Sequence, residues 1–329
     1  MDNNQVVIET ENLTRSFGNL VAVDGLNLEI KRGEIFGLVG PDGAGKTTTI
    51  RMLAAIMDPT EGSATVAGYD TVKESEAIKN HIGYMAQQFN LYGDLSVQEN
   101  LDFFADIFGV RGRERKERIA QLLHFARLTE FTRRRAAHLS GGMKKKLALA
   151  CSLIHRPDIL YLDEPTTGVD PVSRREFWDI LSELHIEGVT ILVSTPYMDE
   201  AERCSRVGLM YRGEFIVCDT PNRIKGLIKG DLIELRPVAE DRGVGLIRRA
   251  EAGVSTLPGV LEVQTYGDLL HIFVDDATQR VPEIKAALAA QSIRAEDLRQ
   301  TQARMEEAFI SLIRRQQDRR AEERAIEEG

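Results

Sequence analysis

The stretch of sequence that decides the fold is Gly40-Pro41-Asp42-Gly43-Ala44-Gly45-Lys46-Thr47. It follows an apolar segment over residues 33–40 that predicts a buried strand, and Thr48 opens a segment over residues 48–57 that predicts a helix. A glycine-rich loop at such a junction lets backbone N–H groups close around phosphate oxygens. The pattern therefore predicts a nucleotide phosphate site that includes Thr48. The Lys46 ammonium would reach the β- and γ-phosphates, and the Thr47 hydroxyl would bind Mg²⁺.

A second buried strand is predicted over residues 159–162, and two carboxylates, Asp163 and Glu164, follow it directly. Carboxylates at the end of an apolar strand are costly to bury unless a cation pairs with them. Because a phosphate loop is present, Asp163 is a candidate Mg²⁺ ligand and Glu164 a candidate base for an attacking water. Taken alone, Asp-Glu-Pro would equally be an ordinary exit from a strand. The pairing of the two motifs favours the site.

A third motif is Leu139-Ser140-Gly141-Gly142-Met143, which comes before a predicted helix. Ser140 is a candidate N-cap, and the free N–H groups of the first helical turn can bind an anion. Taken alone, such a helix start is common and indicates no particular function.

In this order, the three motifs resemble those of the nucleotide-binding subunit of ATP-binding-cassette (ABC) transporters, and the resemblance covers about residues 6–220. It implies an α/β fold, the P-loop NTPase cassette. Such a cassette has a RecA-like core, an antiparallel β subdomain and a helical subdomain, here over about residues 90–155. It also implies ATP and Mg²⁺ as cofactors.

The resemblance also assigns roles to individual residues. Phe17 corresponds to the aromatic side chain that stacks on adenine, and Gln87 to the glutamine that senses Mg²⁺ and the attacking water. Asp170 belongs to the loop at the seam between two cassettes. The third motif corresponds to the family's signature, and we call Ser140, Gly141 and Gly142 the signature residues. Since the family's cassettes pack head to tail, these residues would contact the γ-phosphate that the partner cassette holds.

Three residues depart from the family pattern. Met143 replaces the usual glutamine, a variant found in exporters of drugs and polysaccharides, and Asp42 replaces the more usual asparagine. Pro196 stands where the family has its switch histidine, and proline has neither a polar side chain nor an N–H. We therefore expect ATP binding to survive while hydrolysis is slow or depends on Glu164 and Gln87. Alternatively, a different cassette that keeps its histidine pairs with this one.

The composition changes near Pro221, and the following residues predict a small second domain. Its predicted strands and helices cover residues 231–236, 243–256, 260–266, 269–274, 280–290, 292–298 and 303–315. This βαββαβ order with a trailing helix indicates a ferredoxin-like α+β domain. The predicted boundaries are 1–222 for the cassette, 223–313 for the second domain and 314–329 for a charged tail that is frayed or disordered. His271 is interpreted as a structural histidine and not as a ligand.

Composition and charge exclude some classes of protein. The chain has 329 residues and a net charge of −9, which argues against a general nucleic-acid-binding protein. Residues 111–146 nevertheless carry twelve basic and three acidic side chains, a local charge of +9. This segment is either a solvated helix surface or a contact with anionic lipid. The three cysteines show no metal-binding spacing, which favours free thiols in a reducing cytoplasm.

The resemblance implies an ATP-hydrolysing subunit at the inner face of the cell membrane that drives an exporter. No apolar run approaches the roughly 18 residues of a membrane span, so the permease is expected on a separate chain. Phe89, Leu91 and Tyr92 would line the groove for that permease, or they would fill the subdomain core. A second cassette, identical or different, is the other expected partner.

Two alternative functions stay open. One is a cassette with impaired hydrolysis that supports a catalytic partner, and Pro196 motivates it. The other is an ABC ATPase of translation or DNA repair that works without a permease. Such proteins carry two cassettes in one chain or a long coiled coil, and neither pattern is present in this sequence.

Overall fold

The computed structural model describes residues 5–88, 91–239 and 245–327, so Phe89 lies outside the described residues. The chain divides into two compact units, residues 1–220 and residues 221–329. The helices and strands of the first unit are, in chain order, β1 (Val6–Phe17), β2 (Leu20–Lys31), β3 (Ile35–Val39), α1 (Lys46–Leu53), β4 (Glu61–Val66), β5 (Tyr69–Asp70), α2 (Ser75–Lys79), β6 (Ile82–Met85), α3 (Val97–Ile107), α4 (Gly112–Phe125), α5 (Gly141–Ser152), β7 (Ile159–Asp163), α6 (Pro171–Ile186), β8 (Thr190–Thr195), α7 (Met198–Ala201), β9 (Arg206–Tyr211) and β10 (Glu214–Asp219).

Two sheets organise the first unit. The smaller sheet is antiparallel with the order β2-β1-β4-β5. The larger sheet has the order β10-β9-β3-β8-β7-β6 and is parallel except for β10. Every residue of β3, β7 and β8 is buried, as expected for parallel strands covered on both faces. The carboxyl ends of these three neighbouring strands meet at one edge, where open α/β sheets bind ligands.

Helix α1 begins earlier and ends earlier than the sequence predicts. It starts at Lys46, after Gly45 with a φ of +104°, and a Cβ on Gly45 would lie 2.4 Å from the Ala22 carbonyl oxygen. Glycine is therefore required at the end of the loop. The helix ends at Leu53 instead of reaching residue 57, because Ala55 adopts a φ of +54°. The predicted end at residue 57 was therefore too late.

The segment between β6 and β7 holds the helices α3, α4 and α5. Several of its basic side chains form ion pairs within the chain. Arg115 pairs with Asp102 and Asp106, and Lys146 pairs with Glu176. Residues 133–135 of the basic segment are exposed. Some of the basic side chains are thus held in ion pairs, while others, including residues 133–135, are exposed to solvent.

The second unit is a four-stranded antiparallel sheet packed with helices. Its elements are α8 (Pro221–Lys225), β11 (Asp231–Val238), α9 (Leu246–Ser255), β12 (Val260–Tyr266), β13 (Leu269–Val274), α10 (Ala277–Ala289), β14 (Arg294–Thr301) and α11 (Met305–Glu327). The strand order is β12-β13-β11-β14, which is that of a ferredoxin-like βαββαβ sheet. Gly267 and Asp268 form the two-residue turn between β12 and β13. Helix α11 runs well past residue 315, so the segment predicted as a frayed or disordered tail is helical up to residue 327.

The second unit has a hydrophobic core of its own. Ile233, Leu270 and Ile272 are fully buried in its core. His271 is also buried, as the interpretation of a structural residue requires. Within the described parts of both units, no helix has the length and apolar character that a bilayer crossing needs.

Candidate functional site

The glycine-rich loop places a buried lysine at the carboxyl edge of the larger sheet. The Lys46 Nζ donates to the carbonyl oxygens of Gly40 at 2.8 Å and Pro41 at 3.0 Å. It also lies 3.2 Å from Oε1 of Glu164, and both side chains are less than a tenth exposed. The structure therefore brings together the lysine of the first motif and the second carboxylate of the next motif.

Asp163 lies beside the first turn of α1. The Thr47 Oγ1 donates to Asp163 Oδ1 at 3.0 Å, and the Ser194 Oγ donates to the same oxygen at 2.7 Å. Asp163 Oδ2 is buried and has no hydrogen-bond partner. A buried carboxylate oxygen without a partner is unfavourable unless a cation or water completes it. The Thr47 hydroxyl and the Asp163 carboxylate are hard oxygen donors, so this pair fits the Mg²⁺ that the sequence predicts.

Glu164 is held from several sides and sits in a strained backbone. Its φ of +46° lies in the left-handed region, which costs about 1–3 kcal/mol for a residue with a side chain. Its N–H donates to the Ser194 Oγ at 2.9 Å, which fixes the turn after β7. The Gln87 Nε2 donates to Oε2 of Glu164 at 2.8 Å, and the Thr167 Oγ1 lies 3.3 Å from the same oxygen. These contacts aim the carboxylate at the loop.

A cavity of about 690 Å³ opens over the loop. Its lining includes Phe17, Arg212, Gln87, Glu164 and loop residues from Asp42 to Thr48. Phe17 is 44% exposed, and the Arg15 guanidinium lies 4.8 Å from the centre of its ring. A large exposed aromatic ring beside a phosphate loop can stack on a nucleotide base. The cavity thus offers places for both ends of a nucleotide.

The signature and the following loop lie outside this cavity. The Ser140 Oγ accepts from the Met143 N–H at 3.2 Å, so it is the N-cap of α5 as predicted. The Asp170 carboxylate caps α6, and the hydrogen bonds from the N–H groups of Ser173 and Val172 hold the pKa of Asp170 below its ordinary value. Of the described residues, neither Ser140, Gly142 nor Asp170 lines the cavity over the loop. Within one chain, Ser140, Gly142 and Asp170 therefore do not contribute to the cavity over the phosphate loop.

A second cavity of about 390 Å³ lies next to the first one. It is lined by Gly141, Gly168, Val169, Lys145 and Gln87, among others. Because Gln87 lines both cavities, it connects the phosphate loop with the signature helix.

Pro196 directly follows β8, whose carboxyl end lies between β3 and β7. The preceding Thr195 turns its hydroxyl away to Glu200, which it contacts at 2.6 Å. The Thr166 hydroxyl also donates to the Glu200 carboxylate, at 2.7 Å. The loop after β8 is therefore anchored by a buried carboxylate and places a non-polar residue where the sequence resemblance expects a histidine.

Sequence reasoning missed three contributors to the site: Ser194, Thr167 and Lys145. Ser194 is the penultimate residue of β8, and a polar residue in a wholly buried strand was the available signal. Thr167 lies only three residues after Glu164. Lys145 carried no signal, because its contact joins it to a residue 58 positions away.

Known proteins are similar to this chain over much of its length. A family model described as ABC transporter matches residues 23–167. The protein named "Probable multidrug ABC transporter ATP-binding protein YbhF" from Escherichia coli (strain K12) is 48% identical over 227 residues, 69% of this chain but only 39% of that protein. This chain thus spans well under half of that relative. The daunorubicin resistance ATP-binding protein DrrA2 of Streptomyces coeruleorubidus is 34% identical over 93% of this chain and 94% of its own length.

Solved structures share the fold of the first unit. An ATP-binding subunit of an ABC transporter is 28% identical, with a TM-score of 0.61, over 67% of this chain and 92% of that chain. A bacterial ABC transporter cassette whose structure is described as dimeric is 29% identical, with a TM-score of 0.60, over 65% of this chain and 98% of that chain.

Proposed function

The chain belongs to the ATP-binding proteins of ABC transporters, and on that premise we propose that it binds and hydrolyses ATP to drive an exporter whose permease is a separate chain. The observation that carries this proposal is the group formed by Lys46, Asp163, Glu164 and Gln87 at the edge of the larger sheet. Lys46 supplies a positive charge that can bind phosphate, and Asp163 supplies a buried oxygen without a partner that can bind a metal ion. Glu164 supplies a carboxylate that can accept a proton.

ATP binding would use the cavity over the loop. The backbone N–H groups of residues 42–48 and the Lys46 ammonium would hold the phosphates, and Phe17 would stack on the base. The Thr47 hydroxyl and the Asp163 carboxylate would hold Mg²⁺. When bound, Mg²⁺ supplies charge neutralisation at the β- and γ-phosphates.

Hydrolysis would depend on Glu164 as general base. Its carboxylate would accept the proton of the attacking water, and the Gln87 amide, 2.8 Å from that carboxylate, would orient both. The strained backbone of Glu164 supports this role, because such strain persists where the surrounding contacts hold a functional residue in place.

A second cassette would complete the site. The signature residues Ser140, Gly141 and Gly142 would contact the γ-phosphate held by the partner, and Asp170 would lie at the seam. Their position outside the cavity of their own chain supports this arrangement, as does the dimeric description of a solved relative. The proposal leaves open whether the second cassette is a copy of this chain or a different one.

Export is supported by what the relatives are called. The names refer to daunorubicin resistance and, for a relative from Paraburkholderia xenovorans that is 39% identical over 259 residues, to Nod factor export. These names favour a transporter over an ATPase of translation or DNA repair.

The permease would dock on an aromatic surface beside the second cavity, at the inner face of the membrane. Tyr92 is 49% exposed, and its ring lies 4.5 Å from that of Phe103 on α3. Ile107, one turn further along α3, is 58% exposed. Leu91, which lines the second cavity, extends this apolar surface.

The direct test is phosphate release by the purified chain, compared with Glu164→Gln. We expect release to fall on the order of 10²–10⁴-fold in the variant, because the general base is lost. Binding of a fluorescent ATP analogue should stay within about twofold, since the phosphate loop is intact. Equal release by both proteins would refute hydrolysis at Glu164.

The second candidate is a cassette that binds ATP and supports a catalytic partner. Pro196 favours it, because a missing donor to the transition state typically costs on the order of 10²–10³-fold in rate. In that case the chain alone binds ATP but releases phosphate at the same low rate as Glu164→Gln, and release returns only with a second, different cassette.

A further inference from the structure

Three successive lysines of α5 have three different environments. Lys144 is exposed, and Lys146 is buried and pairs with Glu176 of α6. Lys145 is partly buried, and its Nζ donates to the backbone carbonyl oxygen of Gln87 at 3.0 Å. Lys146 therefore holds two helices together, and Lys145 contacts the loop that leads to the candidate active site. Lys144 lines the second cavity beside Lys145 but is exposed, which makes it a matched control.

Gln87 transmits this contact to the reacting centre. Its carbonyl oxygen accepts from Lys145, while its side-chain amide donates to Glu164 at 2.8 Å. Two hydrogen bonds thus connect the ammonium on α5 with the candidate general base. Because the carbonyl carbon of Gln87 is bonded to its Cα, a hydrogen bond that holds the carbonyl limits the backbone rotations at Gln87 and so restricts where the side chain starts.

Charge also connects Lys145 with the site. Burial lowers the pKa of Lys145, and the attraction of Glu164 and Asp163 acts in the opposite direction. Lys46 lies 3.2 Å from Oε1 of Glu164, whereas the Gln87 amide contacts Oε2. The loop after β8 places Pro196 at its start, and proline cannot donate a hydrogen bond to orient Glu164 or its water.

We propose that Lys145 is a positioning residue for ATP hydrolysis, which fixes the backbone of Gln87 and thereby aims the Gln87 amide at Glu164. The inference rests on the proposed function. Lys145 lines the second cavity and not the cavity over the phosphate loop, so it acts on the chemical step and leaves nucleotide binding unchanged. Replacing it lowers kcat and not the affinity for ATP.

The test compares Lys145→Met, Lys145→Arg and the matched control Lys144→Met in the full chain. For Lys145→Met we expect kcat for phosphate release to fall about tenfold, which is ~1.4 kcal/mol of transition-state stabilisation. KM should stay within about twofold, as for a residue outside the ground-state contacts. Lys145→Arg keeps a donor and should recover most of the rate, and Lys144→Met should match the wild type.

A double-mutant cycle shows whether Lys145 acts through Gln87. In a Gln87→Ala background the amide is absent, so adding Lys145→Met should lower kcat no further. An equal fall in both backgrounds overturns the inference, as does a wild-type kcat for Lys145→Met. Lys145→Arg as slow as Lys145→Met also overturns it. If the wild type releases phosphate no faster than Glu164→Gln, the proposed function fails as well; if Glu164→Gln is slow and Lys145→Met is not, only the inference fails.

Discussion

Each unit of the molecule buries a pair of acidic residues, and the two pairs are completed in different ways. In the first unit, Asp163 and Glu164 follow each other at the end of β7, at the edge of a cavity. In the second unit, Glu234 of β11 and Glu307 of α11 come from distant segments and face the same histidine. All four residues are buried. We call them the open pair and the closed pair.

The closed pair has its partners within the same unit. The His271 ring nitrogens lie 3.0 Å from Glu307 and 3.3 Å from Glu234. Arg299 adds a contact to Glu234 at 2.6 Å, and the ring of Tyr266 stacks on His271. The open pair instead leaves Asp163 Oδ2 without a partner. Neither His271 ring nitrogen makes a well-aligned hydrogen bond, so ion-pair contacts within its own unit complete the closed pair. A carboxylate oxygen that is left incomplete beside a cavity instead indicates a binding site.

The largest expected difference between the pairs is in phosphate release. We expect Asp163→Asn to lower Mg²⁺-dependent release on the order of 10²–10³-fold, because the charge that would hold the cation is lost. Glu234→Gln removes a carboxylate of the closed pair and should leave release within about twofold, because that carboxylate lies in the other unit. Release measured over a Mg²⁺ titration tests both. Similar losses in the two variants would refute the distinction between the pairs.

A gain of function would sharpen the comparison. Pro196→His adds a polar donor at the end of β8, close to the open pair, and should raise single-turnover hydrolysis about tenfold or more. Pro196→Ala is the matched control, since it removes the ring without adding a donor, and it should leave the rate unchanged. An unchanged rate in Pro196→His would show that the residue at this position does not limit hydrolysis.

The closed pair should matter for stability and not for catalysis. Glu307→Gln leaves His271 with one carboxylate fewer, and we expect the second unit to lose about 1–3 kcal/mol of unfolding free energy. Hydrogen exchange of the β13 backbone amides in the full chain measures this loss without unfolding the first unit. ATP binding should not change. Unchanged exchange protection in β13 would contradict the role assigned to the closed pair.

The smallest expected effect is a pH dependence of the same exchange. Burial raises the pKa of Glu307, but His271 and the Arg304 N–H more than offset it, so the pKa lies below the ordinary value of 4.5. A lowered pKa in the folded state contributes stability that is present above 4.5 and is lost as the pH falls through the lower native value. Protection of β13 should therefore fall below pH 4.5 in the wild type and change less in Glu307→Gln. Parallel curves for the two proteins would exclude this contribution.

Local sequence was sufficient where a feature depends on neighbouring residues. The loop before α1, the Ser140 cap and the turn at Gly267 and Asp268 each depend on backbone preferences within a few positions. The predicted end of α1 was wrong because Ala55 adopts a left-handed conformation, which alanine rarely does. No local sequence pattern therefore indicates that the helix ends at Leu53. The pairing of individual bases in the basic segment has no local signal, because a partner such as Glu176 for Lys146 lies far along the chain.

The sequence by itself determined the family, the phosphate loop and the identity of the acidic residues, because those are properties of order and spacing. Only the tertiary structure decided which acidic oxygen is left without a partner and which of three lysines contacts Gln87. Thr47 and Asp163 are hydrogen-bonded although they lie 116 residues apart in the sequence, and Lys145 and Gln87 lie 58 residues apart. Contacts of this kind depend on which strands are neighbours in the sheet and on how α5 packs, and neither is encoded in a short motif.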